Sequence, residues 1–264
     1  MLARRFEEAS AAELGRARDH LAEAVAVLPI AATEQHGPHL PIGTDSIIAD
    51  HMVEAVLSGL PDDWPVTFLP TMRIGASAEH AGLPGTLSHD WDLTARLLIS
   101  LGEGLSKTGF RRLVFVSSHG GNTPSMDAAA LHLRQTMAMM VSAVSWQRFG
   151  LPDGVLPEAE IAHGIHGGAV ETALMLHFRP DLVRHDAVAA FPSLQTELER
   201  GAKRLRAHGR IGFAWSAGDL NPQGAVGDAR LATPEIGRAI ACHQAVGFIE
   251  LLADMLAFDL KRLA

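Results

Sequence analysis

The stretch VAVLPIAATEQHGPHLPIGTDSIIADHMVEAVLSGL, residues 25–60, decides the fold. Its apolar beginning, residues 25–32, predicts a buried strand, and a polar turn containing proline and glycine follows. A helix is predicted from about residue 46 to residue 60. Its apolar positions recur near helical spacing at Ile47, Ile48, Met52, Val56 and Leu57. The stretch therefore predicts a strand that leads through a polar turn into a helix.

The same order recurs along the chain. Further strands are predicted over residues 66–70, 111–118 and 141–146, and further helices over residues 90–109, 124–140, 167–178 and 234–260. Ser88 is the expected N-cap of the second helix, and Thr233 followed by Pro234 is expected to begin the last one. This alternation predicts an α/β fold, with a mainly parallel sheet covered by helices on both faces.

Composition limits the protein's class. The chain has 264 residues, of which 47% are hydrophobic and 20% charged, and no linker divides it. We therefore expect a single domain over residues 1–264. A net charge of −8 argues against nucleic acid or an anionic membrane surface as the main partner. Cys242 is the only cysteine, and Pro, Gly or a charge breaks the longest apolar runs before the roughly 20 residues that a membrane span needs, so we expect a soluble cytoplasmic protein.

Acidic and imidazole side chains follow the predicted strands. Glu34 and His36 lie just after the first strand, Asp45 lies at the start of the next helix, and His119 ends the strand over residues 111–118. The carboxyl ends of parallel strands meet at one edge of a sheet, so these side chains are expected to converge. Imidazole and carboxylate are ligands of zinc, manganese and iron. The alternatives are a helix cap at Asp45, solvated loop residues, and a hydrogen-bonded structural histidine.

Five segments carry a resemblance to a known family. EQHGPHLPIGTD, SAEHAGLPGTLS, SSHGGN, HGGAVETALML and GAVGDARLAT, between residues 34 and 233, resemble the ordered signature blocks of the creatininase (creatinine amidohydrolase) family. The resemblance implies a three-layer α/β/α sandwich with a centre of two divalent ions per subunit, zinc, manganese or iron. It also implies a homo-oligomer, commonly a hexamer, that hydrolyses a small-molecule amide.

The resemblance also implies residue roles. It makes Glu34, His36, Asp45 and His119 metal ligands, with Asp45 bridging the two ions, and it gives His166 the proton transfer. Creatininase draws one more ligand from a glutamate in an HYEN-type turn, and here that turn is HGGN. Gly121 therefore stands where the glutamate would be.

Glu171 is the best replacement for the missing glutamate, because it matches the glutamate of the family's HAG…ETS block. It is expected to act at the catalytic centre either as a ligand or as the partner that fixes the tautomer of His166. His80, Gly120 and Gly121 are weaker candidates for binding substrate, and a loop histidine is an equal interpretation of His80. His39, between two prolines, is expected to be structural.

The sequence thus predicts a metal-dependent hydrolase. A metal-activated water would cleave a non-peptide or cyclic amide C–N bond, and His166 would protonate the departing nitrogen. Creatininase stacks a tryptophan on its substrate at the position of Ala162, so creatinine itself is not favoured. The alternatives within the family are a formamide hydrolase and a peptidase that trims a redox-cofactor precursor. An alternative of another class is a non-catalytic metal-binding assembly module.

Overall fold

A parallel sheet forms the centre of the protein. The computed structural model describes residues 2–209 and 211–263. Four strands lie in the order β2-β1-β3-β4, and each neighbouring pair is parallel. They are β1 (Val25–Ile30), β2 (Val66–Phe68), β3 (Arg112–Ser117) and β4 (Met140–Ser145). The predicted parallel sheet is confirmed.

Helices cover both faces of this sheet. One side carries α1 (Ala11–Ala17), α3 (Trp91–Thr108) and α4 (Thr123–Met137), and the other carries α2 (Thr44–Gly59), α6 (Ala169–Phe178) and α9 (Pro234–Ala257). Side chains of a strand point alternately to the two faces. Val25 and Val27 of β1 accordingly pack with α2 and α9, whereas Ala26 and Leu28 pack with α3 and α4. The fold is therefore the expected three-layer α/β/α sandwich.

A small lobe lies beside the carboxyl edge of the sheet. It contains α5 (Glu158–His163), α7 (Leu194–Gly201), α8 (Ala217–Leu220), and an antiparallel pair, β5 (Ala190–Phe191) with β6 (Gly227–Asp228). Backbone hydrogen bonds join Val226 and His166 in both directions, at 2.6 and 3.2 Å. The lobe therefore holds the backbone of His166 against the segment that directly precedes β6.

Some predicted helix ends differ from the observed ones. Ser88 is not the N-cap of α3: its hydroxyl accepts a hydrogen bond from the amide of Ser77 and donates one to the carbonyl of His89, and Asp90 takes the N-cap position. The cap of α9 is confirmed, because the Thr233 side chain accepts from the amide of Ile236 and Pro234 begins the helix. The local pattern predicted the Thr233 cap correctly, because its hydroxyl binds an amide of its own helix. It failed at Ser88, because the amide of Ser77 uses that hydroxyl.

The last helix is apolar because it is a core element. By length and composition, α9 is the one helix in the described chain that is long and apolar enough to cross a membrane. In the fold it packs against α6 and α2, and Ile240, Phe248 and Leu252 are buried there. Its carboxyl end is bound by the buried guanidinium of Arg112, which donates to the carbonyls of Met255 and Phe258. Burial in the core accounts for its composition.

We expect the contact between α9 and α6 to be sensitive to a single methyl group. A Cβ at Gly237 would overlap the carbonyl oxygen of Ala173, so Gly237→Ala should lower the free energy of unfolding by about 1 to 3 kcal/mol. Gly104→Ala is the matched control, since that helical glycine is exposed and has open space around it. It should raise stability by about 0.5 to 1 kcal/mol. Urea unfolding of both variants checks this, and equal effects would contradict it.

Candidate metal centre

The predicted ligands converge at the carboxyl edge of the sheet. Glu34 and His36 follow β1, Asp45 lies in the first turn of α2, His119 follows β3, and Glu171 lies in the first turn of α6. All five side chains are buried. The sheet therefore places them at the crevice where ligands of such folds bind.

These side chains form two groups that share Asp45. The first group is Glu34, Asp45 and His119, and the second is His36, Asp45 and Glu171; within each group the candidate ligand atoms lie within 4.8 Å of one another. Nδ1 of His119 lies 3.1 Å from Glu34 Oε1 and 3.7 Å from Asp45 Oδ2. Nε2 of His36 lies 3.5 Å from Asp45 Oδ1. Each carboxylate oxygen of Asp45 thus faces a different histidine.

Several buried atoms at this centre have no hydrogen-bond partner among the described residues. They include both carboxylate oxygens of Glu34, Nε2 of His36 and Oδ2 of Asp45. A buried polar atom without a partner costs free energy, and a buried charge costs more. Divalent cations would satisfy all of these atoms, and oxygen with imidazole ligands suits zinc, manganese or iron. The residues therefore fit a metal centre.

The charges of these side chains also favour a cation. Burial raises the pKa of Glu171 to about 7, and the negative charge of Asp45 adds to this effect. Burial alone would lower the pKa of His36, but Asp45 and Glu171 outweigh it and raise that pKa to about 10. The carboxylates are thus too close together to be stable without positive charge between them.

Two groups on the far side of the ring orient His119. Its Nε2 lies 2.9 Å from the carbonyl oxygen of Ala76 and 3.3 Å from Glu79 Oε1, so this nitrogen donates and Nδ1 faces the first group. A Cβ at Gly121 would overlap both the Glu79 carboxylate and the His119 ring. The HGGN turn therefore has no room for a side chain at this position.

His166 takes its orientation from the main chain. Its Nε2 donates to the carbonyl of Gln35 at 2.7 Å, which leaves Nδ1 facing Glu34 Oε1 at 3.7 Å. Burial, followed by the charges of His36 and His80, holds the pKa of His166 well below its ordinary value. Glu171 accepts a hydrogen bond from the amide of Gly167. The carbonyl of Gln35, rather than Glu171, therefore fixes the tautomer of His166.

The three weaker candidates lie in different surroundings. His80 is buried, and its Nε2 lies 3.4 Å from Glu34 Oε1. Gly120 begins the turn after β3 and has open space around it, and Gly121 packs against Glu79. Nδ1 of His80 has no hydrogen-bond partner among the described residues. His80 thus belongs to the wall of the first group, and its assignment to substrate stays a prediction.

A cavity of about 540 Å³ adjoins the centre, and His166 and Glu171 contribute to its wall. The rest of the wall comes from residues 147–156, which follow β4, and from residues 158–170, which lead into α6. No residue of this wall other than His166 and Glu171 was predicted from the sequence. The rule that ligands bind beyond strand ends was a usable signal, because β4 ends at Ser145.

Glu160 is a second residue that the sequence did not reveal. Its buried carboxylate accepts from the amides of Ala169 and Asp228, both at 2.8 Å, and so joins α5, α6 and β6. A Cβ at Gly168 would overlap this carboxylate. In sequence Glu160 looks like an ordinary polar residue on a helix surface. The glycines that follow it were the only sign in the sequence that its carboxylate is closely surrounded by backbone.

Comparison with known proteins identifies relatives. A family model described as Creatininase: Creatinine amidohydrolase matches residues 7–252. The chain is 36% identical to a mycofactocin precursor peptide peptidase of Mycolicibacterium smegmatis, over 61% of this chain and 60% of that protein. It is 31% identical to the protein of that name from Mycobacterium tuberculosis, over 81% and 78%. A creatinine amidohydrolase of Pseudomonas putida is 29% identical, over 67% and 72%.

Solved structures share the fold. A creatininase structure described with Mn has a TM-score of 0.75 and 23% sequence identity, and the match covers 97% of this chain and 100% of that one. A mutant creatininase described as Zn-Zn type has a TM-score of 0.74 and 24% identity, covering 96% and 98%. The three-layer architecture is thus that of the creatininases.

We expect His39 to make stability depend on pH. The ring is buried, stacks on Phe191, and its Nε2 lies 3.0 Å from Thr172 Oγ1. Burial lowers the pKa of His39 to about 4, whereas in the unfolded chain it is about 6.5. The unfolded chain therefore takes up a proton that the folded chain does not, and stability falls as pH decreases from about 6.5 to about 4.

His39→Asn should reduce this loss. The measurement is urea unfolding of the wild type and the variant in chelator at several pH values between 7.5 and 4.5. The difference in the free energy of unfolding between the wild type and the variant should shrink as pH falls, since the variant has no imidazole to protonate. A difference that stays constant over this range would contradict the assignment.

Proposed function

Because this chain belongs to the creatininase family, we propose that it is a metal-dependent amidohydrolase that works with two divalent ions. The observation that carries the proposal is the pair of ligand groups that share Asp45. Glu34, Asp45 and His119 would hold one ion. His36, Asp45 and Glu171 would hold the other. Both groups combine imidazole and carboxylate donors, which zinc, manganese and iron accept.

The ions, when bound, supply the Lewis acidity that activates water and polarises an amide carbonyl. The chain's own residues provide orientation and proton transfer. His36 donates through Nδ1 to the carbonyl of Glu34 at 3.0 Å, which leaves Nε2 free for a ligand bond. The Glu79 carboxylate and the Ala76 carbonyl hold the Nε2 proton of His119 in the same way.

His166 is the proposed proton carrier. With its Nε2 proton held by the Gln35 carbonyl, only Nδ1 is available to the centre, and the lowered pKa of the imidazole keeps Nδ1 unprotonated at rest. It would accept a proton from the attacking water and deliver it to the departing nitrogen. His166 lines the cavity, where the substrate amide would enter.

We propose a peptide or peptide-like amide as the substrate. The relatives at 36% and 31% identity are named as peptidases of a precursor peptide, and the cavity is large enough for a side chain as well as an amide. Ala162 offers no aromatic face to stack on a small ring. A small cyclic amide is the second candidate, which the creatinine amidohydrolase relative favours.

We also propose a cytoplasmic homo-oligomer. The single cysteine suits a reducing compartment. Trp91, Leu97 and Leu101 of α3 are exposed large apolar side chains, and such exposed apolar surface is common where copies of a chain meet.

Metal stoichiometry tests the ligand assignment. Asp45→Ala should remove both ions, because Asp45 belongs to both groups, whereas His119→Ala and Glu171→Ala should each leave one. Glu197→Ala, on α7, is the control and should keep two. The measurement is elemental analysis of each folded variant after dialysis against trace metal. An Asp45→Ala variant with the metal content of the wild type would refute the shared ligand.

A substrate panel tests the activity. Purified protein should hydrolyse at least one of a set of short peptides, formamides and creatinine, and a chelator should abolish the turnover. His166→Ala should keep its metal and lose about 100-fold or more in kcat, as expected for a proton-transfer residue. Peptide turnover without creatinine turnover supports the first candidate, and the reverse supports the second. Chelator-resistant turnover would contradict the metal-dependent mechanism.

A further inference from the structure

The cavity beside the metal centre has an apolar wall. Leu151, Leu156, Ile161, Ile165 and Val170 contribute to it. Ile161 keeps 50% of its surface exposed, although it is a large aliphatic residue on a short helix. Together with the other aliphatic side chains of this wall, Ile161 gives the cavity a continuous apolar lining, which suits an apolar ligand group.

The charges in this wall have one sign. Asp153, Glu158 and Glu171 are acidic, His166 is the remaining titratable residue, and none of the described residues that line the cavity is a lysine or an arginine. Away from the metal centre, a substrate carboxylate placed in this wall would meet only the like charges of Asp153 and Glu158. The wall therefore favours a neutral or cationic group and opposes an anionic one.

The apolar wall lies next to the proposed proton carrier His166 and the proposed ligand Glu171. Ile165 precedes His166 and Val170 precedes Glu171 in the chain, and all four residues line the same cavity. An amide held between His166 and the second ligand group would thus have its neighbouring substituent directed along aliphatic side chains. The substituent that adjoins the cleaved bond is the part of a substrate that this wall would contact.

We propose that the cavity is a subsite for an uncharged apolar side chain adjoining the cleaved amide, and that Asp153 and Glu158 select against a carboxylate there. The proposal rests on the proposed amidohydrolase function and names the class of substrate. It predicts amides flanked by leucine-like side chains as substrates, and it disfavours those flanked by aspartate or glutamate.

Three hydroxamates test the subsite without requiring turnover. Acetohydroxamate, isovalerohydroxamate and succinic acid monohydroxamate share a metal-binding head, and they carry a methyl, an isobutyl and a carboxyethyl group. Isothermal titration of the metal-loaded protein should show isovalerohydroxamate binding about 10-fold or more tightly than acetohydroxamate, because its additional apolar surface is buried. The succinic compound should bind no more tightly than acetohydroxamate.

Variants assign the selectivity to named residues. Ile161→Ser should weaken isovalerohydroxamate several-fold and leave acetohydroxamate unchanged, and Leu131→Ser, at an exposed position of α4, should change neither. The double variant Asp153→Asn with Glu158→Gln should strengthen binding of the succinic compound several-fold. Because Ile161, Asp153 and Glu158 are exposed, these variants are expected to fold, and their thermal midpoints check this.

The outcomes separate the two proposals. If acetohydroxamate binds and isovalerohydroxamate binds no better, the subsite is refuted and the metal-dependent function stands. An effect of Ile161→Ser on all three compounds equally would also refute the subsite. If no hydroxamate binds the metal-loaded protein, the proposed catalytic centre fails, and the subsite fails with it.

Discussion

Three carboxylates buried at one point are the constraint on which the site depends. Glu34, Asp45 and Glu171 lie close enough to raise one another's free energy, and water does not screen them. Among the described residues, the imidazoles of His36 and His119 offset part of these charges. Divalent ions would do so more completely, because each brings two positive charges to atoms that otherwise have no partner.

The fold meets this constraint by bringing separate segments to one edge of the sheet. Glu34 and His36 come from the end of β1, His119 from the end of β3, and Asp45 and Glu171 from the first turns of two helices. A carboxylate in the first turn of a helix is stabilised by the helix dipole. Glu160 then ties α6 to the neighbouring lobe, so that Glu171 is held by contacts of residues distant in sequence.

The parallel sheet, its helices and the meeting of Glu34, His36, Asp45 and His119 were predictable, because each follows from local pattern and from the geometry of strand ends. Glu171 required the resemblance to a family, since a glutamate in a helix gives no local sign of its partners. Glu160 and the cavity wall were missed because their contacts join distant segments. The error at Ser88 has the same cause: the amide of Ser77 uses its hydroxyl.

The loss of a side chain at Gly121 has a consequence for specificity. With the turn closed to a carboxylate by Glu79 and His119, the third donor of the second group comes from α6. That helix also provides Val170 to the cavity. The proposed metal ligand and the proposed substrate wall are therefore adjacent residues of one rigid element. A shift of α6 that enlarges the cavity would displace Glu171 as well, so substrate range in this chain is expected to vary through residues 147–161, which hold no ligand.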